Sequence, residues 1–132
     1  MVVLLDTNII SYLSRDPHSD IARRAGKFGP GELITSVIVV GEIAFGFARR
    51  PSPRLERQVQ EILRGMQIVD LNRATAAAYG SIRAHLERLG RPIGSNDLWI
   101  AAHALALDAT LVTANEREFR RVPGLKVENW TA

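Results

Sequence analysis

The sequence contains no cysteine among its 132 residues. This absence excludes disulfide scaffolds, zinc sites with thiolate ligands and thiol nucleophiles. The three histidines, His18, His85 and His103, lack the close spacing of a histidine-based metal motif. A metal ion bound by this chain would therefore need oxygen ligands.

Long apolar runs are also absent, since no stretch approaches the roughly 20 apolar residues that a membrane-spanning helix needs. The apolar N-terminus is short and has no basic leader typical of a signal peptide. We therefore expect a soluble, cytoplasmic protein that makes no membrane contact. The hydrophobic content of 46% is ordinary for a globular protein, so residues 1–132 are predicted to form a single domain.

Lysine is scarce, because fifteen of the seventeen basic residues are arginine and several of these are paired, at positions 23–24, 49–50 and 120–121. The planar guanidinium group suits bidentate contact with phosphate. This composition favours a nucleic acid or an acidic partner. Arginines on solvated helix faces are the alternative.

Short apolar runs alternate with amphipathic segments along the chain. The runs predict strands at 1–5, 33–36, 67–69 and 110–113 and an edge strand at 126–127. The segments between them predict helices at 9–13, 20–27, 37–48, 55–66, from 72 or 75 to 89, 97–107 and 114–119. This alternation predicts an α/β fold with a central, mainly parallel sheet of four to five strands and helices on both faces.

Four acids lie where such a sheet would bring them together. Asp6 ends the first strand, Glu42 follows the second strand by about two helical turns, Asp97 begins a helix and Glu118 follows the fourth strand. Ligands of open α/β sheets collect at the carboxyl ends of the strands. We therefore expect these four carboxylates to approach one edge of the sheet.

Each acid also has an ordinary structural explanation. Asp6 and Asp97 can stabilise the starts of helices, and Glu42 and Glu118 can face solvent. Three of the four, however, are the sole acids of apolar segments, and this coincidence favours a common site.

Clustered carboxylates suit Mg²⁺ or Mn²⁺, which can activate a water for attack on a phosphodiester. Setting the four acids aside leaves seventeen basic residues against ten acidic ones, a net charge of +7. A metal-dependent nuclease requires an acidic pocket on a basic body of this kind.

Four motifs resemble those of PIN-domain ribonucleases, specifically VapC-type toxins: Leu4–Asn8, Ser36–Glu42, Ser95–Ala102 and Leu111–Phe119. The resemblance covers essentially the whole chain and implies a PIN-like three-layer α/β/α sandwich. It also implies a Mg²⁺- or Mn²⁺-dependent endoribonuclease and inhibition by a VapB-type antitoxin that inserts a C-terminal segment into the site. A homodimer, or a hetero-oligomer with the antitoxin, is the implied assembly.

The same resemblance implies roles for individual residues. Asp6 and Asp97 are the main metal ligands, and Glu42 is a further ligand or orients the attacking water. The supporting polar contacts are Thr7, Asn8, Ser36 and Thr113.

The last catalytic position is shared between two residues. Many family members carry aspartate where this chain has Asn115, and a subgroup carries an acid before the phenylalanine, here Glu118. We therefore assign Asn115 and Glu118 jointly, with Glu118 as the metal ligand. The Glu118-Phe119 ending resembles toxins that cut transfer RNA, which makes transfer RNA the expected substrate.

Other functions fit the sequence less well. A phospho-aspartate phosphatase needs a second acid two residues after Asp6, where this chain has Asn8, and a receiver-type phosphoacceptor needs a late lysine after a strand, whereas the only lysines are Lys27 and Lys126. A non-catalytic RNA- or protein-binding module with a degenerate PIN site remains an alternative. It predicts RNA binding that survives loss of the carboxylates.

Overall fold

The computed structural model describes residues 1–131, and its centre is a five-stranded sheet. The strands are β1 (Val3–Leu5), β2 (Leu33–Ser36), β3 (Gln67–Val69), β4 (Thr110–Val112) and β5 (Val127–Glu128). Their order is β3-β2-β1-β4-β5, and every neighbouring pair is parallel. The predicted α/β fold with a parallel sheet is therefore confirmed.

Seven helices of the described residues flank this sheet. They are α1 (Thr7–Arg15), α2 (Asp20–Ala25), α3 (Val37–Arg49), α4 (Pro53–Arg64), α5 (Arg73–Arg88), α6 (Ser95–Ala106) and α7 (Glu116–Phe119). The predicted boundaries agree with these to within two residues. Among residues 1–131, no helix combines the length and apolar character needed to cross a bilayer.

Strand β1 is the most enclosed part of the fold. Val3, Leu4 and Leu5 are each 0% exposed, because β1 pairs with β2 on one side and β4 on the other while helices cover the sheet. Strands buried on both faces are typical of parallel sheets, and their sequences are continuous apolar runs. The short N-terminal run therefore places Asp6 at the centre of the carboxyl edge.

Helix α3 is less buried than its composition predicts. Val39 and Ile43 are buried, but Val37, Gly41 and Phe45 are exposed, and Phe45 is 62% exposed. The apolar composition of residues 37–48 predicts a helix that is buried on most of its circumference, and this prediction is wrong. A helix at the surface packs through one face, here against α1 and α6, and the remaining apolar residues stay in contact with solvent.

Removal of the Leu4 side chain tests the central position of β1. Leu4→Ala should lower the free energy of unfolding by about 3–5 kcal/mol, because it leaves a cavity in a close-packed core. Leu89→Ala is the matched control, since Leu89 is 57% exposed and should cost less than about 0.5 kcal/mol. Urea denaturation measures both values, and equal losses in the two variants would contradict this description of the core.

Candidate active site

Asp6 is a buried carboxylate that connects two strand ends. Its Oδ1 accepts a hydrogen bond of 2.8 Å from the backbone N–H of Thr7, which makes Asp6 the N-cap of α1. Its Oδ2 accepts a hydrogen bond of 2.7 Å from the hydroxyl of Thr113, which follows β4. Asp6 therefore caps the helix and also belongs to the edge where β1 and β4 end.

Glu42 reaches the same edge from α3. The hydroxyl of Thr7 donates to Glu42 Oε1 at 2.6 Å, and the amide of Asn96 donates to Glu42 Oε2 at 3.4 Å. Because the backbone N–H of Thr7 also binds Asp6, this one threonine links the two carboxylates.

Glu118 lies at the N-terminus of α6, beside Asp97. The backbone N–H of Gly94 donates to Glu118 Oε1 at 3.1 Å, and the amide of Asn115 donates to Glu118 Oε2 at 2.6 Å. Gly94 is the N-cap of α6 and has no side chain to cap the helix, so the Glu118 carboxylate takes one of its free N–H groups. Asn115 thus holds Glu118 by a hydrogen bond instead of occupying a carboxylate position itself.

Together, Asp6, Glu42, Asp97 and Glu118 form a group that we call the acidic cluster. Its electrostatics are dominated by burial and mutual repulsion. Burial raises the pKa of Asp6, the hydrogen bonds from Thr113 and Thr7 lower it in part, and the charges of Glu42 and Glu118 raise it further. The charges of Glu42 and Glu118 are therefore close enough to Asp6 to affect its ionisation.

The pKa values of the neighbouring acids Asp97 and Glu118 shift in opposite directions. Burial raises the pKa of Asp97 to about 8, and the hydrogen bond to Glu118 and the negative charges of Glu118, Asp6 and Glu42 act in the same direction. Burial alone would raise the pKa of Glu118, but its hydrogen bonds with Asp97, Gly94 and Asn115 lower it. These opposite pKa shifts favour a proton on Asp97 and a negative charge on Glu118 at neutral pH.

The remaining polar residues divide into two groups. Asn8 Oδ1 accepts a hydrogen bond of 3.1 Å from Ala114 N–H, so that Asn8 holds the chain after β4 next to the acidic cluster. Ser36 lies elsewhere, because its hydroxyl accepts from Ile38 N–H at 3.1 Å and contacts His103 Nδ1 at 2.8 Å. Ser36 therefore caps α3 and bonds to a buried core histidine, and it makes no hydrogen bond to an acid.

Asn96 has a different role from the one that its sequence position indicates. The predicted helix at 97–107 would have Asn96 as its N-cap, but α6 begins at Ser95 and Gly94 is the cap. The side chain of Asn96 is free to contact Glu42 instead. The position of Asn96 directly before Asp97 was the sequence signal that it could belong to the site. The register of the helix start could not be predicted.

The donor chemistry of the acidic cluster fits a hard divalent cation. Four carboxylates from separate elements supply oxygen ligands, and a cation would relieve the repulsion that raises the pKa of Asp97. Among residues 1–131, however, no three His, Asp or Glu side chains form a ready-made metal-binding group. Their oxygens face hydroxyl, amide and N–H donors, so binding an ion requires some of these hydrogen bonds to be exchanged.

A cleft opens next to Thr7 and Glu42, between α1, α3 and α4. Its volume is about 220 Å³. Exposed arginines and less exposed apolar side chains line it: Arg15, Arg50, Ile43, Leu55 and Val59. An extended chain with negative charge, or a peptide with apolar side chains, could therefore reach the acidic cluster along this cleft.

Several known proteins resemble this chain over nearly its full length. The family model for the PIN domain matches residues 3–125. Ribonuclease VapC1 of Haemophilus influenzae (strain R2866) is 37% identical over 133 residues, covering 99% of both chains. The tRNA(fMet)-specific endonuclease VapC of Shigella flexneri is 33% identical over 129 residues, covering 97% of both.

A solved structure shows the same fold in a two-protein assembly. The structure of VapBC-1 from nontypeable Haemophilus influenzae matches with a TM-score of 0.89 and 36% sequence identity, covering 100% of both chains. The likeness therefore extends over every element that carries a member of the acidic cluster.

The raised pKa of Asp97 predicts a pH-dependent stability. Because the folded protein holds this proton up to about pH 8 and the unfolded chain loses it near pH 4, the stabilisation present below pH 4 is lost as pH rises toward 8. Asp97→Asn removes this pH-dependent loss of stability, because asparagine does not ionise. In the absence of divalent ions it should be more stable than the wild-type protein at pH 8 by about 1–2 kcal/mol, a value reduced because Asp97 is only half-buried.

Urea denaturation in EDTA at pH 4.5 and pH 8 measures this difference, which should be smaller at the lower pH. Asp108→Asn is the control, since Asp108 is exposed and its ion pair with Lys126 spans 3.6 Å. A destabilised Asp97→Asn variant at pH 8 would contradict the raised pKa of Asp97.

Proposed function

The chain belongs to the PIN-domain family and within it to the VapC ribonucleases, and from this membership we propose that it is an endoribonuclease that depends on Mg²⁺ or Mn²⁺. The observation that supports this activity is the acidic cluster itself. Four acids that are 21 to 112 residues apart along the chain meet at one edge of a parallel sheet on a basic protein. A structural role alone does not require four repelling carboxylates in one place.

A bound divalent ion supplies Lewis-acid chemistry, because it lowers the pKa of a water and neutralises charge on the phosphodiester. Asp6 and Asp97 are the proposed main ligands, with Glu118 and Glu42 as further ligands. Thr7 and Thr113 keep the Asp6 carboxylate in a fixed orientation. Glu42, held by Thr7, is also the group that we propose orients the attacking water.

We propose that the Asp97–Glu118 pair holds a proton in the metal-free protein and releases it when a cation binds. In the metal-free protein its proton offsets one negative charge of the acidic cluster. Cation binding removes the need for that proton, so it favours the ionised form of Asp97. The hydrogen bonds from Gly94 and Asn115 keep Glu118 in place through this change.

Transfer RNA is the proposed substrate. The Shigella flexneri relative is a tRNA(fMet)-specific endonuclease that shares 33% identity with this chain, and the Glu118-Phe119 ending points the same way. Arg15 and Arg50, which line the cleft beside Glu42, offer guanidinium groups for the phosphates of an RNA strand.

A VapB-type antitoxin is the proposed inhibitor. The relative from nontypeable Haemophilus influenzae forms a VapBC-1 assembly, and the cleft between α1, α3 and α4 combines apolar and basic residues that a peptide segment can occupy. A segment bound along it would cover Thr7 and Glu42 and exclude RNA from the acidic cluster without any change of fold.

A homodimer is the proposed assembly of the toxin itself. The exposed apolar face of α3, which includes Val37, Gly41 and Phe45, supports this proposal because exposed apolar patches commonly mark protein interfaces.

Replacement of the acids tests the activity directly. Purified protein should cleave transfer RNA when Mg²⁺ or Mn²⁺ is added, and Asp6→Asn or Asp97→Asn should abolish cleavage. Asparagine also caps helices well, so Asp6→Asn should retain the fold, which circular dichroism checks. Glu116→Gln is the matched control because Glu116 lies on the same short helix as Glu118 but pairs with Arg120, and it should cleave like the wild-type protein.

Two results would contradict the proposal. Unchanged cleavage by Asp6→Asn or Asp97→Asn would exclude the acidic cluster as the active site. A wild-type protein that binds RNA without cleaving it, with the same affinity as both variants, would favour the non-catalytic binding module.

A further inference from the structure

The two adjacent arginines at positions 120 and 121 point in different directions. Arg120 is exposed and binds Glu116 Oε2 through Nη2 at 3.0 Å and through Nε at 3.3 Å. Arg121 is half-buried, and its Nη1 donates to the backbone carbonyl of Pro92 at 3.1 Å. Arg120 therefore forms an ion pair that faces solvent, whereas Arg121 makes an inward contact.

Arg121 is directed toward the acidic cluster by the end of α7. The helix ends at Phe119, and Arg121 N–H bonds to the backbone carbonyl of Glu118 at 3.1 Å. Residues three positions apart lie on the same side of a helical turn. The Arg121 guanidinium consequently acts on the Glu118 carboxylate through its charge while it holds the Pro92 carbonyl.

The carbonyl that Arg121 holds belongs to a loop that continues into the site. In this 92–94 loop, Gly94 N–H binds Glu118, and Gly94 is the cap from which α6 starts. Asp97 lies in the first turn of that helix. The loop is thus attached to the α7 segment at both ends, by Arg121 at Pro92 and by Glu118 at Gly94.

The environment of Arg121 indicates that its position is set by these contacts. Its Nε is buried and has no hydrogen-bond partner among residues 1–131. A buried donor without a partner is unfavourable, so the side chain is held in this orientation by its other interactions. A solvated arginine, such as Arg120, carries no such cost.

We propose that Arg121 is a positioning residue that holds the 92–94 loop against α7 and thereby fixes Glu118 relative to Asp97. This inference rests on the proposed function, because Glu118 and Asp97 are proposed metal ligands. Loss of the Arg121 contact releases the Pro92 end of the loop. The start of α6 then shifts relative to Glu118, and the two carboxylates no longer bind one ion well.

Arg121→Ala and its neighbour Arg120→Ala form a matched pair for the test. Four quantities are measured: Mn²⁺ affinity without RNA by electron paramagnetic resonance of free Mn²⁺, kcat and KM for RNA cleavage, and the thermal unfolding midpoint. Arg121→Ala should weaken Mn²⁺ binding and lower kcat by about 10- to 100-fold, as expected for partners of metal ligands, with KM little changed. Arg120→Ala should alter neither Mn²⁺ affinity nor kcat. Arg121→Lys should recover part of the loss in Mn²⁺ affinity and part of the loss in kcat.

Other results overturn the inference. An increase in KM with unchanged Mn²⁺ affinity and kcat would show that Arg121 binds RNA directly, and wild-type values throughout would show no role. If Arg121→Ala unfolds, the folded Arg121→Lys variant decides, since Mn²⁺ affinity equal to that of the wild-type protein would contradict positioning by the guanidinium. A wild-type protein that neither binds Mn²⁺ nor cleaves RNA would instead contradict the proposed function.

Discussion

Repulsion among four carboxylates is the constraint around which this protein is built. Asp6, Glu42, Asp97 and Glu118 meet at one sheet edge, and burial makes their charges costly. The chain opposes this cost with uncharged donors, including the hydroxyls of Thr7 and Thr113 and the amide of Asn115, and with one proton on Asp97. The metal-free cluster therefore survives through hydrogen bonds that a cation can replace.

The parallel sheet makes this arrangement possible. Strand β1 is fully buried and paired on both sides, so Asp6 cannot move away from the strand ends of its neighbours. Glu118 is held differently, because α7 has only four residues and depends on Gly94, Asn115 and Arg121 for its position. A rigid core thus fixes one side of the cluster, and a loop with few contacts fixes the other. Sites that function requires are often less stable than the rest of a protein.

Much of this could be predicted from the sequence, because apolar runs and lone acids are local signals. The strands, the helices and the convergence of the acids depended on periodicity and on the geometry of parallel sheets. Side-chain partners could not be predicted in the same way. Asn115 donates to Glu118, Ser36 bonds to His103 and Arg121 faces inward. These contacts depend on the register of short helices and on residues up to 67 positions apart, which no local pattern encodes.

Binding of Mn²⁺ to the folded protein in the absence of RNA is the most direct test of a divalent-ion site at the acidic cluster. A ligand that binds only the folded state at 100 times its Kd stabilises it by about 2.7 kcal/mol. We predict that Mn²⁺ raises the thermal unfolding midpoint of the wild-type protein accordingly and leaves that of Asp97→Asn nearly unchanged. An equal shift in both proteins, or no shift in the wild-type protein, would contradict a divalent ion held by the acidic cluster.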